Sequence, residues 1–172
     1  MISKQGQTVD CFGKDRSGQV TYQFNQQGFR GISDFDFVLD YAFFGCSLAF
    51  GIGVAEEQTF AYLFDSSQNY ALAGTYDNHD IMMTIEQFLA SDVYSPATRI
   101  AVFWHSRDAK CLEEFYLKLQ DHNIIHLYCG TPLPYQNCYA VPPNLDYDVS
   151  GTHYGPQSHK LLWKMLCKLF QQ

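Results

Sequence analysis

The sequence is short of basic charge: eleven Lys and Arg stand against eighteen Asp and Glu among 172 residues, a net charge of −7. Binding nucleic acid or an anionic membrane needs clustered cations, and here they are few and scattered, so neither is expected as a partner. Long apolar runs are also missing. The best candidates, Ala42–Phe44 and Leu48–Phe50, are cut by Gly45, Cys46 and Ser47, short of the roughly 20 residues of a membrane span. The opening Met1-Ile2-Ser3-Lys4-Gln5-Gly6-Gln7 has no apolar stretch of the kind a secretory leader carries, which predicts a cytoplasmic chain. No C-x-x-C spacing occurs among the six cysteines (Cys11, Cys46, Cys111, Cys129, Cys138, Cys167). That excludes zinc-ribbon and thioredoxin readings and leaves the cysteines as small, reduced core residues. Gly51 and Gly53 make no phosphate loop, because neither G-x-x-x-x-G-K nor G-x-G-x-x-G is present. No cofactor and no metal is expected.

What the chain does have is apolar mass: 47 % hydrophobic and 16 % aromatic residues, enough for one domain with its own core. The first thirty-six residues read as an appended arm. Thr8–Phe12 and Gln19–Phe24 predict a small hairpin around the turn-rich Gly13–Gly18, with Asn25–Asp36 as connecting loop. From residue 37 to 172, strands and helices alternate. Phe37–Phe44 reads as a buried strand ending at Gly45, Glu56–Phe64 as a helix, and Asn69–Leu72 as a short strand. Asp77–Ala90 is an amphipathic helix capped by Asp77, Arg99–Trp104 a strand, and Ala109–Gln120 a helix. Asn123–Cys129 is a strand, Leu133–Leu145 a loop with room for one short strand, and Gln157–Phe170 the last helix. Alternation of this kind predicts a parallel sheet covered on both faces. Ligands of such sheets gather at the carboxyl ends of the strands.

Those ends hold the unusual residues: Cys46 and Ser47 after the first central strand, Gly74 after the second, and His105 and Arg107 after the third. His153 stands just before the last helix. A serine hydroxyl needs a base to take its proton, and an imidazole has a suitable pKa. Asp148 or Asp146 can orient that ring, and a backbone carbonyl is the alternative, leaving a Ser–His dyad. Cys46 is a second possible nucleophile. His122, His126 and Cys129 suggest a metal cluster at first sight, but alternation along a strand sends His126 and Cys129 to opposite faces.

Gly45-Cys46-Ser47, then Phe50-Gly51-Ile52-Gly53-Val54 and Glu57-Gln58-Thr59-Phe60, resembles the first block of the SGNH (GDSL-type) hydrolases, with Cys46 replacing the aspartate of Gly-Asp-Ser. Asn69 to Gly74 with Tyr76 is similar to the second block. Gly151-Thr152-His153-Tyr154-Gly155-Pro156 with His159 is similar to the last, and Asn25–Gly31 to a lead-in found in some members. The resemblance implies a three-layer α/β/α sandwich with a parallel, flavodoxin-like sheet, here behind a small hairpin arm. It implies hydrolysis of an ester or thioester, with Ser47 as nucleophile, His153 as base, and the amides of Ser47 and Gly74 as oxyanion donors. Two departures stand out. The asparagine expected after the third strand is replaced by His105-Ser106-Arg107-Asp108, so that His105 is the substitute donor, and Ser150 occupies the acid's place three residues before His153, leaving Asp148 as the candidate acid. The departures motivate two alternatives: a non-catalytic domain binding an acyl or glycan ligand or a partner protein, and an acyltransferase.

Overall fold

The computed structural model describes residues 20–25, 27–31, 38–74, 77–105, 109–148 and 151–172. Five parallel strands form one sheet: β1 (Tyr41–Gly45), β2 (Ser67–Asn69), β3 (Arg99–His105), β4 (Ile124–Cys129) and β5 (Cys138–Ala140). Their order is β2-β1-β3-β4-β5. Among the described residues four α-helices accompany them: α1 (Ser47–Phe50), α2 (Asn78–Leu89), α3 (Ala109–Leu119) and α4 (Pro156–Leu169).

Alternation along the strands sorts the core into two clusters. Ala42, Phe44, Ile100, Val102, Trp104 and Ile124 point to one face, where α2 brings Ile81, Ile85 and Phe88 and α3 brings Leu112, Phe115 and Leu119. Phe43, Ala101, Phe103, Ile125 and Leu127 point to the other, against Ala49 and Phe50 of α1 and Leu162 and Leu166 of α4. This is the three-layer α/β/α sandwich. Asp77 caps α2 as its sequence position predicts, its carboxylate accepting the His79 amide at 2.8 Å. Among the described residues, no helix is long and apolar enough to cross a membrane.

Two expected elements take other forms. Glu56–Phe64 is not a helix but two 3₁₀ turns, Glu56–Gln58 and Ala61–Leu63. The helix breaks at Thr59, whose backbone is extended (φ −76°, ψ 151°) and whose hydroxyl donates to the Glu56 carbonyl at 2.8 Å. The Phe60 amide is then claimed from outside the segment by His159 Nδ1 at 3.4 Å. The second strand pairs over Ser67–Asn69 rather than Asn69–Leu72, although the amides of Tyr70 and Leu72 still reach the Phe43 and Gly45 carbonyls at 2.7 and 2.8 Å.

Thr8–Phe12 of the expected hairpin lies outside the described residues. Of its partner strand, Phe24 forms an isolated antiparallel bridge with Arg30, and Arg30 forms another with Asn69 of β2. Phe24 and Arg30 thereby lie against the β2 edge, a row of backbone groups that would otherwise invite pairing with another chain. Tyr22, Asn25 and Arg30 are all buried against the body of the domain.

Two histidines are sealed in this core. His126 accepts the Trp104 indole N–H at 3.0 Å, and His159 stacks on Phe60. Burial pushes both down to about pH 4, and the Arg30 charge adds to the effect at His159. Above about pH 6.5 the folded and unfolded chains hold these rings equally neutral. As pH falls from there towards 4, only the unfolded chain gains the protons, so stability is lost by about 1.4 kcal/mol per pH unit per ring. Urea unfolding midpoints at pH 7 and 5 should show this fall. It should be shallower in His126→Asn, which keeps an acceptor for Trp104 but carries no titrating ring.

Candidate active site

In this strand order the direction in which successive strands are added reverses between β1 and β3, and ligands of such sheets bind beyond the carboxyl ends at that point. Ser47 follows β1 immediately and His105 ends β3, so both flank that point. Gly45 makes the exit from β1 possible. Its φ is +147°, and a Cβ there would lie 2.7 Å from Phe103 Cβ, so only glycine lets β1 turn away this close to β3. Cys46 is then extended and Ser47 starts α1. The Ser47 carbonyl accepts the amides of Gly51 and Ile52 at 3.2 and 3.3 Å, curling the loop back on itself.

That loop is held by Arg30. Its Nη1 donates to the Phe50 and Gly51 carbonyls at 2.8 and 2.5 Å, its Nη2 to the Val54 carbonyl at 2.7 Å, and its Nε to Glu56 Oε2 at 2.5 Å. The guanidinium packs over Tyr22 and Phe50, and the residue is 1 % exposed. The Gly53 amide donates to the Tyr22 hydroxyl at 2.6 Å. Nothing local in the sequence marks Arg30, beyond its place in the lead-in segment Asn25–Gly31.

Asp148 reaches the site from the other side. It is buried, and a Cβ on Gly53 would fall 2.0 Å from its Oδ2. Its Oδ1 accepts the amides of Thr152 and His153, both at 3.1 Å, and its own amide donates to the His153 carbonyl at 3.0 Å. Oδ2 then stands 3.7 Å from His153 Nδ1, with Thr152 Oγ1 3.0 Å from the same nitrogen. The tight turn at Gly151 and the Tyr147–Tyr154 bridge bring a carboxylate five residues before the imidazole to the place where a spacing of three would have put Ser150. Burial lowers the His153 pKa and the Asp148 charge only partly offsets it.

Asp146, the other acid considered, serves a different end. Its carboxylate accepts the Gln157 amide at 2.9 Å, the Ser158 amide at 2.8 Å and the Ser158 hydroxyl at 2.7 Å, fastening the start of α4. Burial opposes its charge, yet these donors hold its carboxyl below the ordinary range.

The loop that begins at Ser47 meets the His153 segment where Gly53 packs against Asp148. Gly74 lies two residues past Leu72, whose amide pairs with Gly45, so it stands at the same edge, with open space where a side chain would be. The backbone of His105 is occupied on both sides by Asn78, whose Oδ1 accepts its amide at 3.0 Å and whose Nδ2 donates to its carbonyl at 2.9 Å. Asn78 was not singled out in the sequence, because a helix-start asparagine looks like an ordinary cap. Arg107, Ser150 and Tyr76 lie outside the described residues. Among the described residues, no group of three His, Cys, Asp or Glu side chains forms a metal site.

Comparison with protein-family models, with curated proteins and with solved structures returns no match for this chain.

Gly53→Ala tests how tightly the two halves of the site are packed. The left-handed backbone (φ +75°) should cost about 1–2 kcal/mol, and the new methyl must displace the Asp148 carboxylate. The thermal midpoint should fall. By NMR titration the His153 imidazole should move to still lower pKa, because the neighbouring negative charge that raises it has withdrawn.

Proposed function

We propose that the chain is a serine hydrolase of the SGNH type, cleaving the acyl bond of an ester or thioester. The observation that carries this reading is the Asp148 carboxylate set 3.7 Å from His153 Nδ1, on a hairpin pressed against the loop that begins at Ser47. Ser47 Oγ attacks the acyl carbon while His153 Nε2 takes its proton. The ring is kept in that orientation by Asp148 and Thr152 on the Nδ1 side. The amides of Ser47 and Gly74 receive the oxyanion, with His105 as a further donor, and losing one such donor typically lowers turnover by roughly a hundred- to a thousandfold. His153 then returns the proton to the leaving alcohol or thiol, and water attacking by the same route releases the acid. The free cysteines suit a reducing, cytoplasmic setting, and the substrate is a small acyl ester or thioester.

Two departures in the sequence favour a second reading, a non-catalytic domain that binds an acyl or glycan ligand at the same place: Ser150 stands where the acid is expected and no asparagine follows the third strand. Acyl transfer to a sugar hydroxyl is the third, recognised by transfer outpacing hydrolysis.

A fluorophosphonate probe separates these. The wild-type protein should label, Ser47→Ala should not, and turnover of short acyl esters should vanish in His153→Ala. Asp148→Asn should cut turnover by as much as about four orders of magnitude. Because burial lowers the His153 pKa, the rate should rise with pH through a midpoint below about 6.5. A folded wild-type protein that neither labels nor turns over esters overturns the hydrolase reading.

A further inference from the structure

Cys111 is a core residue, as the sequence pattern predicts, but its sulfur also meets a base. It stands in the first turn of α3 and is 9 % exposed, in one cluster with Ile81, Leu112 and Phe115. Its Sγ lies 3.7 Å from Nε2 of His79, in the first turn of α2. The two side chains thus meet between the starts of two neighbouring helices.

His79 is fixed for this contact from two directions. Its backbone amide donates to the Asp77 carboxylate at 2.8 Å, and its ring packs edge to face on Phe115 with centroids 5.0 Å apart. The residue is otherwise exposed, so solvent reaches the imidazole while the sulfur is mostly covered. We propose that Cys111 and His79 form a peroxide-reactive site, at which hydrogen peroxide converts the Cys111 thiol into a sulfenic acid. The thiolate is the form that attacks a peroxide, and a neighbouring imidazole and a helix N-terminus both favour it. The narrow exposure of the sulfur selects a reagent as small as hydrogen peroxide over a bulky disulfide.

The chemistry closes with that one reagent. His79 Nε2 takes the thiol proton, and the Cys111 sulfur attacks one peroxide oxygen. The O–O bond breaks, and the leaving hydroxide takes the proton from the imidazolium and departs as water. One thiol and one peroxide yield one sulfenic acid and one water; the sulfur loses two electrons and the peroxide oxygens gain them.

A consequence for turnover rests on the hydrolase reading above. Asn78, next to His79, holds the His105 backbone through its amide and its carbonyl. An oxygen added at Sγ enters the space between Cys111 and His79 and presses on the first turn of α2, and through Asn78 on His105. Oxidation should therefore reduce ester turnover, and a thiol reductant should restore it.

The test treats the reduced full-length chain with hydrogen peroxide in the presence of dimedone and maps the adducts by peptide mass, a readout independent of hydrolysis. Cys111 should carry the adduct ahead of Cys138 and Cys167, although both are more exposed. In His79→Gln the Cys111 adduct should form about tenfold more slowly or less, since an unassisted thiol is only a few per cent ionised at pH 7. Cys111→Ser should remove that adduct alone. A folded wild-type chain whose adducts follow exposure and spare Cys111 overturns the site, and so does a His79→Gln variant that reacts at the wild-type rate. A chain oxidised at Cys111 with unchanged ester turnover supports the site and removes its effect on His105. A chain oxidised there that turns over no ester even when reduced supports the site and counts against the hydrolase reading alone.

Discussion

The arrangement of the loop after β1 depends on a buried cation, Arg30. A guanidinium withdrawn from water is costly unless each donor finds an acceptor, and Arg30 finds three carbonyls of one loop plus the Glu56 carboxylate. A lysine ammonium offers a point charge and no planar fork, so it does not reproduce this set. Through these bonds a residue from the segment before β1 determines the path of the chain after β1. Gly53 takes its position from that path, and Asp148 packs against Gly53. The acid's location is thus set from the opposite end of the chain.

The sheet supplies the frame for this. Parallel strands with β1 and β3 adjacent put the ends of both at one edge, and the even and odd positions of each strand feed two separate cores. The site residues lie beyond the strand ends, where packing no longer dictates the residue type. Ser47 therefore stands where its side chain is released from the core, on a support that the aromatic core keeps stiff. Phe43 and Phe60 pack edge to face with centroids 5.1 Å apart beneath this edge.

Much of the fold was legible in the sequence because it rests on local periodicity. The buried run ending at Gly45, the cap at Asp77 and the apolar stripes of α2, α3 and α4 all stand close to where the pattern puts them. The segment Glu56–Phe64 failed the same test for a non-local reason, since the Phe60 amide is taken by a histidine from the last helix. Of the site, His153 and Ser47 were readable as residue types at strand and helix boundaries, whereas the acid was ambiguous among Asp146, Asp148 and a carbonyl. Spacing along the chain cannot choose between two aspartates when the turn between them and the imidazole is set by tertiary contacts. Arg30 and Asn78 were illegible for the same reason: their partners lie twenty or more residues away.

The hairpin carrying those two aspartates divides labour between neighbours. Asp146 is welded to the first turn of the last helix, and Asp148, two residues on, grips the imidazole's own backbone. The ring is consequently anchored to the terminal helix by a few covalent bonds, while towards the serine loop its acid packs against Gly53. Any loosening of that helix's docking would be felt first as a wandering imidazole, long before the sheet lost its order, so the chain's last secondary element sets where the His153 ring stands.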